Sequence, residues 1–355
     1  MQAWQIDKLG SISNLHQAQV PEPQPQAGEV VMEVLLAGLN PADRYLAEGQ
    51  YPARPAMPHT LGRDAVGRIA RVADDVTAWR PGELALILRG PVGVDIAGTF
   101  AQRVAVPVGS LARVPTGWSM EESAGASLVY MTAWQAITQW GNPQAPTDVY
   151  SMSAIDSPDS PDSPQNKTSP ESPAVVLVTG ASGGVGVATV QLASALGYTV
   201  AALSRSPEKR GRLSTLGAAI TLDPADTQWR KQLQARLNGK KVDLVVDNIG
   251  GQQFSEILTV MGAWGKISVV GRLAGPVPEF NTASLFFRRL RIGGVSVGDY
   301  TPRQSHGVWQ KVLETMAEKK QKPLVDKIFD FADLPAAFEH LAAGPMGKVL
   351  LRVGG

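Results

Sequence analysis

Apolar residues in the second half of the chain occur in short runs separated by longer, partly polar stretches. The clearest case is a Val-rich run at 174–179, followed by a glycine-rich turn at 180–186. An apolar helix is predicted over about 185–196, and a second apolar strand over 198–204. Strands that are apolar throughout are typical of parallel sheets covered on both faces. The pattern therefore predicts a βαβ unit.

The same alternation continues towards the C-terminus. The predicted strands are 218–222, 242–247, 266–270 and 291–297, and the predicted helices lie near 207–216, 227–237, 252–261 and 282–289. Strands that alternate with helices in this way form a parallel sheet with helices on both faces. The tail has a predicted helix at 303–319, a strand at 325–331, a helix at 334–342 and a strand at 347–353.

Residues 1–118 have a different pattern, with short apolar or alternating stretches interrupted by Pro and Gly. This is typical of β-rich structure. The predicted strands are 29–39, 65–73, 83–88 and 99–106, and a short helix is predicted at 41–47 because Pro41 suits a first helical position. Ser119 and Glu122 form a capping-box pattern that begins a helical region at 122–140.

Residues 142–173 contain SPDSPDSP and SPESP, with few apolar side chains. Such a segment cannot bury enough surface to offset the entropy lost on ordering. We predict a disordered insertion before the first strand of the parallel sheet. A partner-docking or modification segment is the alternative.

Composition narrows the possible functions. The chain has 355 residues, enough for two domains, is 44% hydrophobic and carries a net charge of +1, so no nucleic-acid partner is expected. The absence of cysteine excludes disulfides, thiol nucleophiles and Cys-ligated zinc. No signal peptide and no membrane-length apolar run is found, so we expect a cytoplasmic protein without membrane contacts.

The glycine-rich turn predicts a dinucleotide site. Glycines allow the backbone to approach a pyrophosphate that binds at a helix N-terminus. The candidate residues are Ala181, Ser182, Gly183, Gly184, Val185 and Gly186. A nucleotide-free sheet of the same type is the alternative. A phosphate-binding P-loop would need a Lys that this turn lacks.

The residues after the second strand indicate which dinucleotide binds. NAD sites usually place a carboxylate there, whereas this chain has Ser204, Arg205 and Lys209. Hydroxyls and cations suit a 2′-phosphate, so we predict NADP(H). The alternative is that these cations are only a solvated first helical turn.

Further candidates follow two later strands of the parallel sheet. Asn248 ends one strand, and Gly271 and Arg272 end another. Ligands of such sheets bind at the carboxyl ends of the strands, so we predict that these residues line the cofactor site. Asp247 is either a functional carboxylate or one that caps the turn.

Several stretches together resemble the medium-chain dehydrogenase/reductase superfamily, in its zinc-free quinone oxidoreductase branch. The stretches are NPADRYLAEGQYP (40–52), LGRDAVGRI (61–69), YMTAWQAI (130–137), VTGASGGVGVATVQLA (178–193), VVDNIGG (245–251) and MGKVLLRV (346–353). The resemblance implies an α/β fold. A GroES-like β-rich catalytic domain (1–122 and 294–355) would be joined to a Rossmann NADP(H)-binding domain with a doubly wound parallel sheet (123–293), with the active site in the cleft between them.

The resemblance also implies that no zinc is bound. Zinc-dependent relatives have Cys where this chain has Asn40, and a His-Glu pair where it has Arg63 and Asp64. An amide or a guanidinium is a poor zinc ligand. His59 lies nearby, but a single His is more often a loop residue than a ligand.

The resemblance suggests which residues act on the substrate. Asn40, Asp43, Tyr45 and Tyr51 should line the cleft, with the Tyr51 phenol able to donate a proton to developing enolate charge. Thr132 is similar to the threonine that contacts the nicotinamide. The alternatives are that the tyrosines only pack beside a turn and that Thr132 bonds its own helix.

The expected function is NADPH-dependent reduction of a small quinone or α,β-unsaturated carbonyl compound. The alternatives are an acryloyl-CoA or enoyl-thioester reductase, with Arg63, Arg288 and Arg289 as candidate CoA contacts, or a non-catalytic, crystallin-like NADPH-binding protein. A short-chain dehydrogenase is disfavoured because no Tyr is followed by Lys four residues later. We also expect a homodimer.

Overall fold

The structure is a computed structural model that describes residues 1–141, 173–276 and 279–354. The chain divides into two compact units: Met1–Met131 with Val297–Gly355, called unit 1, and Thr132–Ser296, called unit 2. The predicted insertion at 142–173 lies outside the described residues, apart from Pro173.

The N-terminal part of the chain is mostly β-structure. Its elements are β1 (Gln2–Gln5), β2 (His16–Gln19), β3 (Glu29–Gly38), α1 (Pro41–Ala47), β4 (Asp64–Val72), β5 (Leu84–Ile87), β6 (Arg103–Pro107), β7 (Leu111–Arg113), α2 (Met120–Ala124) and α3 (Ser127–Thr138). Strands and helices then alternate: β8 (Val175–Val178), α4 (Gly184–Ala195), β9 (Thr199–Leu203), α5 (Pro207–Thr215), β10 (Ile220–Leu222), α6 (Trp229–Arg236), β11 (Val242–Asp247), α7 (Gly251–Val260), β12 (Met261–Val269), α8 (Ala283–Arg288) and β13 (Arg291–Gly294). The C-terminal elements are α9 (Pro302–Glu318), β14 (Val325–Asp330), α10 (Leu334–Ala342) and β15 (Lys348–Arg352).

Unit 1 contains a seven-stranded sheet in the order β14-β15-β3-β4-β5-β7, with β6 also paired to β3. The C-terminal strand β15 pairs antiparallel with β3, and Leu351 lies opposite Ala37. Apolar side chains from both ends of the chain form one core, including Met32, Phe100 and Phe338. Because β15 lies next to β3, residues from the C-terminal tail can reach those that follow β3.

Unit 2 contains a six-stranded parallel sheet in the order β10-β9-β8-β11-β12-β13. The central strand β8 pairs with β9 on one side and with β11 on the other. The chain therefore adds β9 and β10 on one side of β8, and then β11, β12 and β13 on the other. Val175–Val178 is completely or almost completely buried, as expected for a parallel strand covered on both faces. The predicted α/β fold with a β-rich unit and a parallel sheet is confirmed.

Some element boundaries differ from the predicted ones. The strand predicted at 99–106 begins only at Arg103, because the amides of Thr99 and Phe100 donate to the loop carbonyls of Gly62 and Leu61. The helical region predicted at 122–140 is two helices, with Gly125 ending α2. A Cβ at Gly125 would lie 3.1 Å from Cγ of Lys348, so this position accommodates a buried side chain from β15.

The longest helix, α9, has 17 residues. Thr301 caps its N-terminus, accepting from the backbone amide of Gln304, whose side chain in turn accepts from the Thr301 amide. One face, with Val308, Val312 and Met316, is buried. Across the described part of the chain, no helix is both long enough and apolar enough to cross a membrane.

Candidate functional site

The carboxyl ends of β8 and β11 are neighbours in the sheet of unit 2, at the point where the strand order reverses. The Thr179 hydroxyl donates to Oδ1 of Asp247 at 2.6 Å, and Nδ2 of Asn248 donates to the Thr179 carbonyl at 2.8 Å. Asp247 also accepts bonds from the amides of Ile249 and Gly250. Asp247 is completely buried, so it holds the two loops together and caps the turn.

The glycine-rich turn leaves the start of α4 uncovered by side chains. Gly180 has φ +55°, and a Cβ at Gly186 would lie 2.3 Å from the Gly180 carbonyl oxygen, so the turn closes only without side chains. Gly183 precedes α4 without a side-chain cap. The unbonded backbone N–H groups of a helix N-terminus favour an anion. This geometry fits a dinucleotide pyrophosphate, with residues 181–186 available to hold it.

The residues predicted to contact a 2′-phosphate have different surroundings. Arg205 is exposed, Lys209 is half-buried and Ser204 is buried at the end of β9. Ser206 caps α5 by accepting from the Lys209 amide at 3.3 Å. Arg210 donates to the carbonyls of Ser204 and Arg205 and to Asp223, so it braces this loop.

Gly271 joins the same edge of the sheet. A Cβ there would lie 2.9 Å from the Asn248 carbonyl oxygen, and the Gly271 amide donates to the carbonyl of Asp247 at 3.3 Å. Arg272 follows and is exposed. Thr132 is half-buried on α3, and the Ser268 hydroxyl of β12 donates to the Ala136 carbonyl one turn further along at 2.7 Å.

Unit 1 contains a cluster of buried charged and amide side chains that begins at α1. Asp43 is completely buried, and its Oδ2 accepts from the Asn40 amide at 2.9 Å. Its Oδ1 accepts from Nε of Arg63 at 2.8 Å, and both side chains of this ion pair are buried. Burial raises the pKa of Asp43, and the Arg63 charge opposes the rise. Asp43 is therefore placed to position Arg63 rather than to meet a ligand.

Lys348, from β15, completes this cluster and was not among the predicted site residues. Its Nζ donates to Oδ1 of Asn40 and to Oδ2 of Asp64, both at 2.6 Å. A Cβ at Gly38 would lie 2.8 Å from Cε of Lys348, so glycines at 38 and 125 leave space for the buried stem. The one sequence signal was a Lys directly before the apolar run Val-Leu-Leu, in MGKVLLRV.

Both polar atoms of the Asn40 side chain form hydrogen bonds within this cluster. Its Oδ1 accepts from Lys348, and its Nδ2 donates to Oδ2 of Asp64 at 3.2 Å. Asp64 is buried, and its Oδ1 has no hydrogen-bond partner in the structure. Five polar side chains of unit 1 therefore belong to one network. Asn40, Asp64 and Lys348 bond one another, and the Asn40 backbone amide links them to the Asp43–Arg63 pair.

Tyr51 is connected to this network through Arg63. The Arg63 guanidinium lies 4.7 Å from the Tyr51 ring centroid, as a cation over an aromatic ring. The Tyr51 phenol can both donate and accept a hydrogen bond. Tyr45 is half-buried on α1.

The residues at the positions of zinc ligands do not fit a zinc ion. Asn40 and Asp64 already accept hydrogen bonds from the buried Lys348 ammonium, and Arg63 carries a positive charge. Zinc prefers thiolate, imidazole and carboxylate ligands, without a cation bonded to the same oxygens. Among residues 1–141, 173–276 and 279–354, no group of three or more His, Asp or Glu side chains could hold a metal ion.

Two family models match the chain. The alcohol dehydrogenase GroES-like domain matches residues 26–116, and the zinc-binding dehydrogenase model matches residues 184–318. The first covers β-rich structure of unit 1, and the second begins at the glycine-rich turn of unit 2. The chain belongs to the medium-chain dehydrogenase/reductase superfamily, in its quinone oxidoreductase-like branch.

Individual relatives agree with this assignment. Quinone oxidoreductase of Rattus norvegicus is 25% identical over 338 residues, which cover 94% of this chain and 92% of the relative. The crystal structure of an NAD-dependent alcohol dehydrogenase has a TM-score of 0.83 and 26% identity, and all of each chain is covered. Escherichia coli quinone oxidoreductase, solved with NADPH, has a TM-score of 0.81 and 21% identity, with 99% of this chain and 100% of that chain covered, and shows the same fold. The chain is therefore related to oxidoreductases.

Proposed function

We propose that the protein transfers hydride from NADPH to a quinone or an α,β-unsaturated carbonyl compound without a metal. Unit 2 would bind the cofactor and unit 1 would provide the side chains that act on the acceptor. The observation that carries this proposal is the Tyr51 ring, which lies 4.7 Å from the buried guanidinium of Arg63 and has a phenol that can donate a hydrogen bond. The quinone oxidoreductases among the relatives support the acceptor class.

In this proposal NADPH supplies the hydride, and the protein orients it and completes the reaction with a proton. Residues 181–186, Asn248 and Gly271 would hold the cofactor at the strand ends, and Thr132 would contact the nicotinamide. Ser204, Arg205 and Lys209 would favour the phosphate-bearing form, and Arg272 would line the cofactor site beside Gly271. Hydride addition to an enone leaves negative charge on oxygen, which Tyr51 would protonate or hydrogen-bond.

The residues around Tyr51 would act by positioning it. Asp43 holds Arg63, and Lys348 holds Asn40 and Asp64. Tyr45 stays a candidate for contact with the acceptor. The predicted absence of zinc stays part of the proposal, and elemental analysis of the purified protein tests it.

The alternative acyl-thioester reductase receives less support from the structure. Arg288 donates to the carbonyls of Leu258 and Met261, and the Arg289 guanidinium lies 4.7 Å from the Trp264 ring centroid. Arg63 is paired with Asp43. These three candidate CoA contacts are therefore engaged within their own units.

The homodimer also stays a proposal. The edge strand β13 and its surroundings expose large apolar side chains, with Phe287 75% and Phe286 64% exposed. Such a patch is typical of a protein interface. Light scattering during size-exclusion chromatography gives the subunit number. The cytoplasmic location stays a prediction.

The test is an acceptor panel in which NADPH oxidation is followed by absorbance. It includes a neutral quinone, an enone and crotonyl-CoA. Tyr51→Phe should lower kcat for the enone by about 10²–10⁴, the usual contribution of a positioned acid, with little change for the quinone. Tyr198→Phe is the control, because Tyr198 lies in unit 2, in the loop between α4 and β9.

Two outcomes would contradict the proposal. If no acceptor oxidises NADPH, the non-catalytic alternative is favoured. If Tyr51→Phe reduces enones at the parental rate, Tyr51 is not the acid, and Asn40 and Tyr45 become the residues to test.

A further inference from the structure

One side chain of α5, Arg210, holds the loop that follows β9. Its Nη1 donates to the Ser204 carbonyl at 2.7 Å and to the Arg205 carbonyl at 2.9 Å. The same nitrogen lies 3.2 Å from Oδ2 of Asp223, and the two side chains form an ion pair. The loop with two of the predicted 2′-phosphate contacts is therefore tied to a carboxylate from another part of unit 2.

This carboxylate belongs to the next strand of the sheet. Asp223 directly follows β10, which pairs in parallel with β9 so that Leu222 lies opposite Leu203. The Ser204 amide then donates to the Leu222 carbonyl at 3.0 Å. Ser204 and Asp223, which directly follow the two strands, thus lie at the same edge of the sheet. The sequence did not indicate a carboxylate at this place, because Asp223 comes from a different strand than Ser204.

A carboxylate at this edge bears on the choice of cofactor. NAD sites commonly place one near the end of the second strand, where it binds the ribose 2′-OH. The same negative charge repels a 2′-phosphate, and an unpaired like charge is an effective way of rejecting a ligand. Without a partner, Asp223 would therefore oppose the NADP(H) preference that Arg205 and Lys209 are expected to provide.

The bonds of Arg210 are suited to cancelling this charge. Its Nη1 is already surrounded by three oxygen atoms of unit 2, two carbonyls and the Asp223 carboxylate. The other carboxylate oxygen, Oδ1, accepts from the Ala225 amide at 2.9 Å, so both oxygens of Asp223 are engaged within the protein. The Arg210 and Asp223 side chains are only 22% and 31% exposed, so water screens their attraction incompletely.

We propose that Arg210 neutralises Asp223 and so sets the preference for NADP(H) as a positioning residue, without contacting the 2′-phosphate itself. This inference rests on the proposed binding of NADP(H) and names the residues that decide between the cofactors with and without this phosphate. Loss of the cation would leave a carboxylate of the NAD type at the edge of the site.

The experiment measures binding, so it does not require turnover. The probes are adenosine 2′,5′-bisphosphate and adenosine 5′-monophosphate, which differ only in the 2′-phosphate, and titration calorimetry gives both dissociation constants. Arg210→Met should weaken the bisphosphate by about tenfold relative to the monophosphate, as expected for one like-charge repulsion at a partly exposed position. Arg210→Lys keeps the charge and should lose less than about threefold.

The decisive variant is Arg210→Met combined with Asp223→Asn. The Asn side chain keeps an oxygen for the Ala225 amide and removes the negative charge. The double variant should bind the bisphosphate within about threefold of the wild type, because no charge is left to neutralise. If Arg210 contacts the phosphate or only braces the loop, the double variant stays as weak as Arg210→Met, and the proposal is overturned.

Two further variants complete the design. Arg212→Met is the control, because Arg212 is exposed on α5, and its replacement should leave the ratio of the two dissociation constants unchanged. Asp223→Asn alone provides the test if Arg210→Met does not fold. It should bind the bisphosphate at least as tightly as the wild type, and a tenfold loss, of roughly 1.4 kcal/mol, would overturn the proposal.

The same measurements separate this inference from the functions on which it rests. A wild type that binds the bisphosphate no better than the monophosphate makes the NADP(H) prediction wrong, and the inference falls with it. A wild-type preference that Arg210→Met keeps in full contradicts only the role of Arg210. If no acceptor oxidises NADPH but the binding ratios change as expected, the reductase function fails while this inference stands.

Discussion

The two candidate sites are built from different parts of the polypeptide. In unit 1 the site consists of side chains, with the buried ion pairs Asp43–Arg63 and Asp64–Lys348 beside Asn40 and Tyr51. In unit 2 it consists mainly of backbone, with glycines at strand ends and an uncapped helix N-terminus. The first should therefore be sensitive to a lost charge, and the second to an added atom.

The strongest test of this difference is Lys348→Met. It leaves the Asp64 carboxylate buried without its cation, so the free energy of unfolding should fall by about 3–5 kcal/mol in urea denaturation. Lys311→Met removes an exposed ion pair with Glu314 and should cost no more than about 0.5 kcal/mol.

A double variant sharpens this test. Lys348→Met with Asp64→Asn should be more stable than Lys348→Met alone, because no uncompensated charge is left. If Lys348→Met costs less than about 1 kcal/mol, the cluster of unit 1 does not depend on its charges as described.

The glycine-rich turn of unit 2 should respond to a single methyl group. Gly186→Ala places a Cβ 2.3 Å from the Gly180 carbonyl oxygen and should cost about 1–3 kcal/mol by overpacking. Gly183→Ala should be tolerated, because its nearest neighbour would be 3.6 Å away and its φ is −73°. Equal melting temperatures for the two variants would contradict a close approach at Gly186.

Cofactor preference tests the side chains that unit 2 does contribute. Arg205→Ala should weaken NADPH by about tenfold and leave NADH unchanged, because one charged hydrogen bond at an exposed position is worth about 1.5 kcal/mol. Arg212→Ala, on the exposed side of α5, serves as the control. A parental enzyme that prefers NADH would make the NADP(H) prediction wrong.

The smallest expected effect concerns His59 in unit 1. Burial first, and the Arg63 charge to a lesser extent, lower the pKa of His59, although a bond with the Gly93 backbone opposes them. The unfolded chain then binds a proton more readily, so stability falls as the pH drops below about 6.5. The loss is limited to about 1.4 kcal/mol for each unit by which the pKa is lowered.

His59→Gln should remove this contribution. Its free energy of unfolding should fall less than that of the parent between pH 7 and pH 5, when both are measured by urea denaturation. An identical pH dependence for the two proteins would show that His59 does not titrate as its burial implies.

Secondary structure followed closely from the local pattern. The helices predicted at 41–47 and 334–342 and the strand predicted at 242–247 have the same boundaries in the structure. Each begins or ends at residues with a local signal, such as Pro41 at the first position of α1. The prediction of a strand at 99–106 was wrong at its N-terminal end, because backbone hydrogen bonds to another loop hold Thr99 and Phe100 outside the strand. Hydrogen bonds between distant segments do not alter the pattern of apolar residues, so the sequence did not indicate them.

The glycine-rich turn was equally visible, because its function depends on residues that are contiguous in the chain. The cluster of unit 1 was not, since Lys348 is 308 residues from Asn40 and 284 from Asp64.

Apolar spacing, caps and turn residues act over a few neighbouring positions, so strands, helices and the glycine-rich turn can be inferred from the chain as written. Which strand lies beside β3 depends on how the whole sheet assembles, and that assembly brings β15 and its Lys348 to Asn40 and Asp64. The pairing of the buried charges Asp43–Arg63 and Asp64–Lys348 therefore emerged only from the folded molecule.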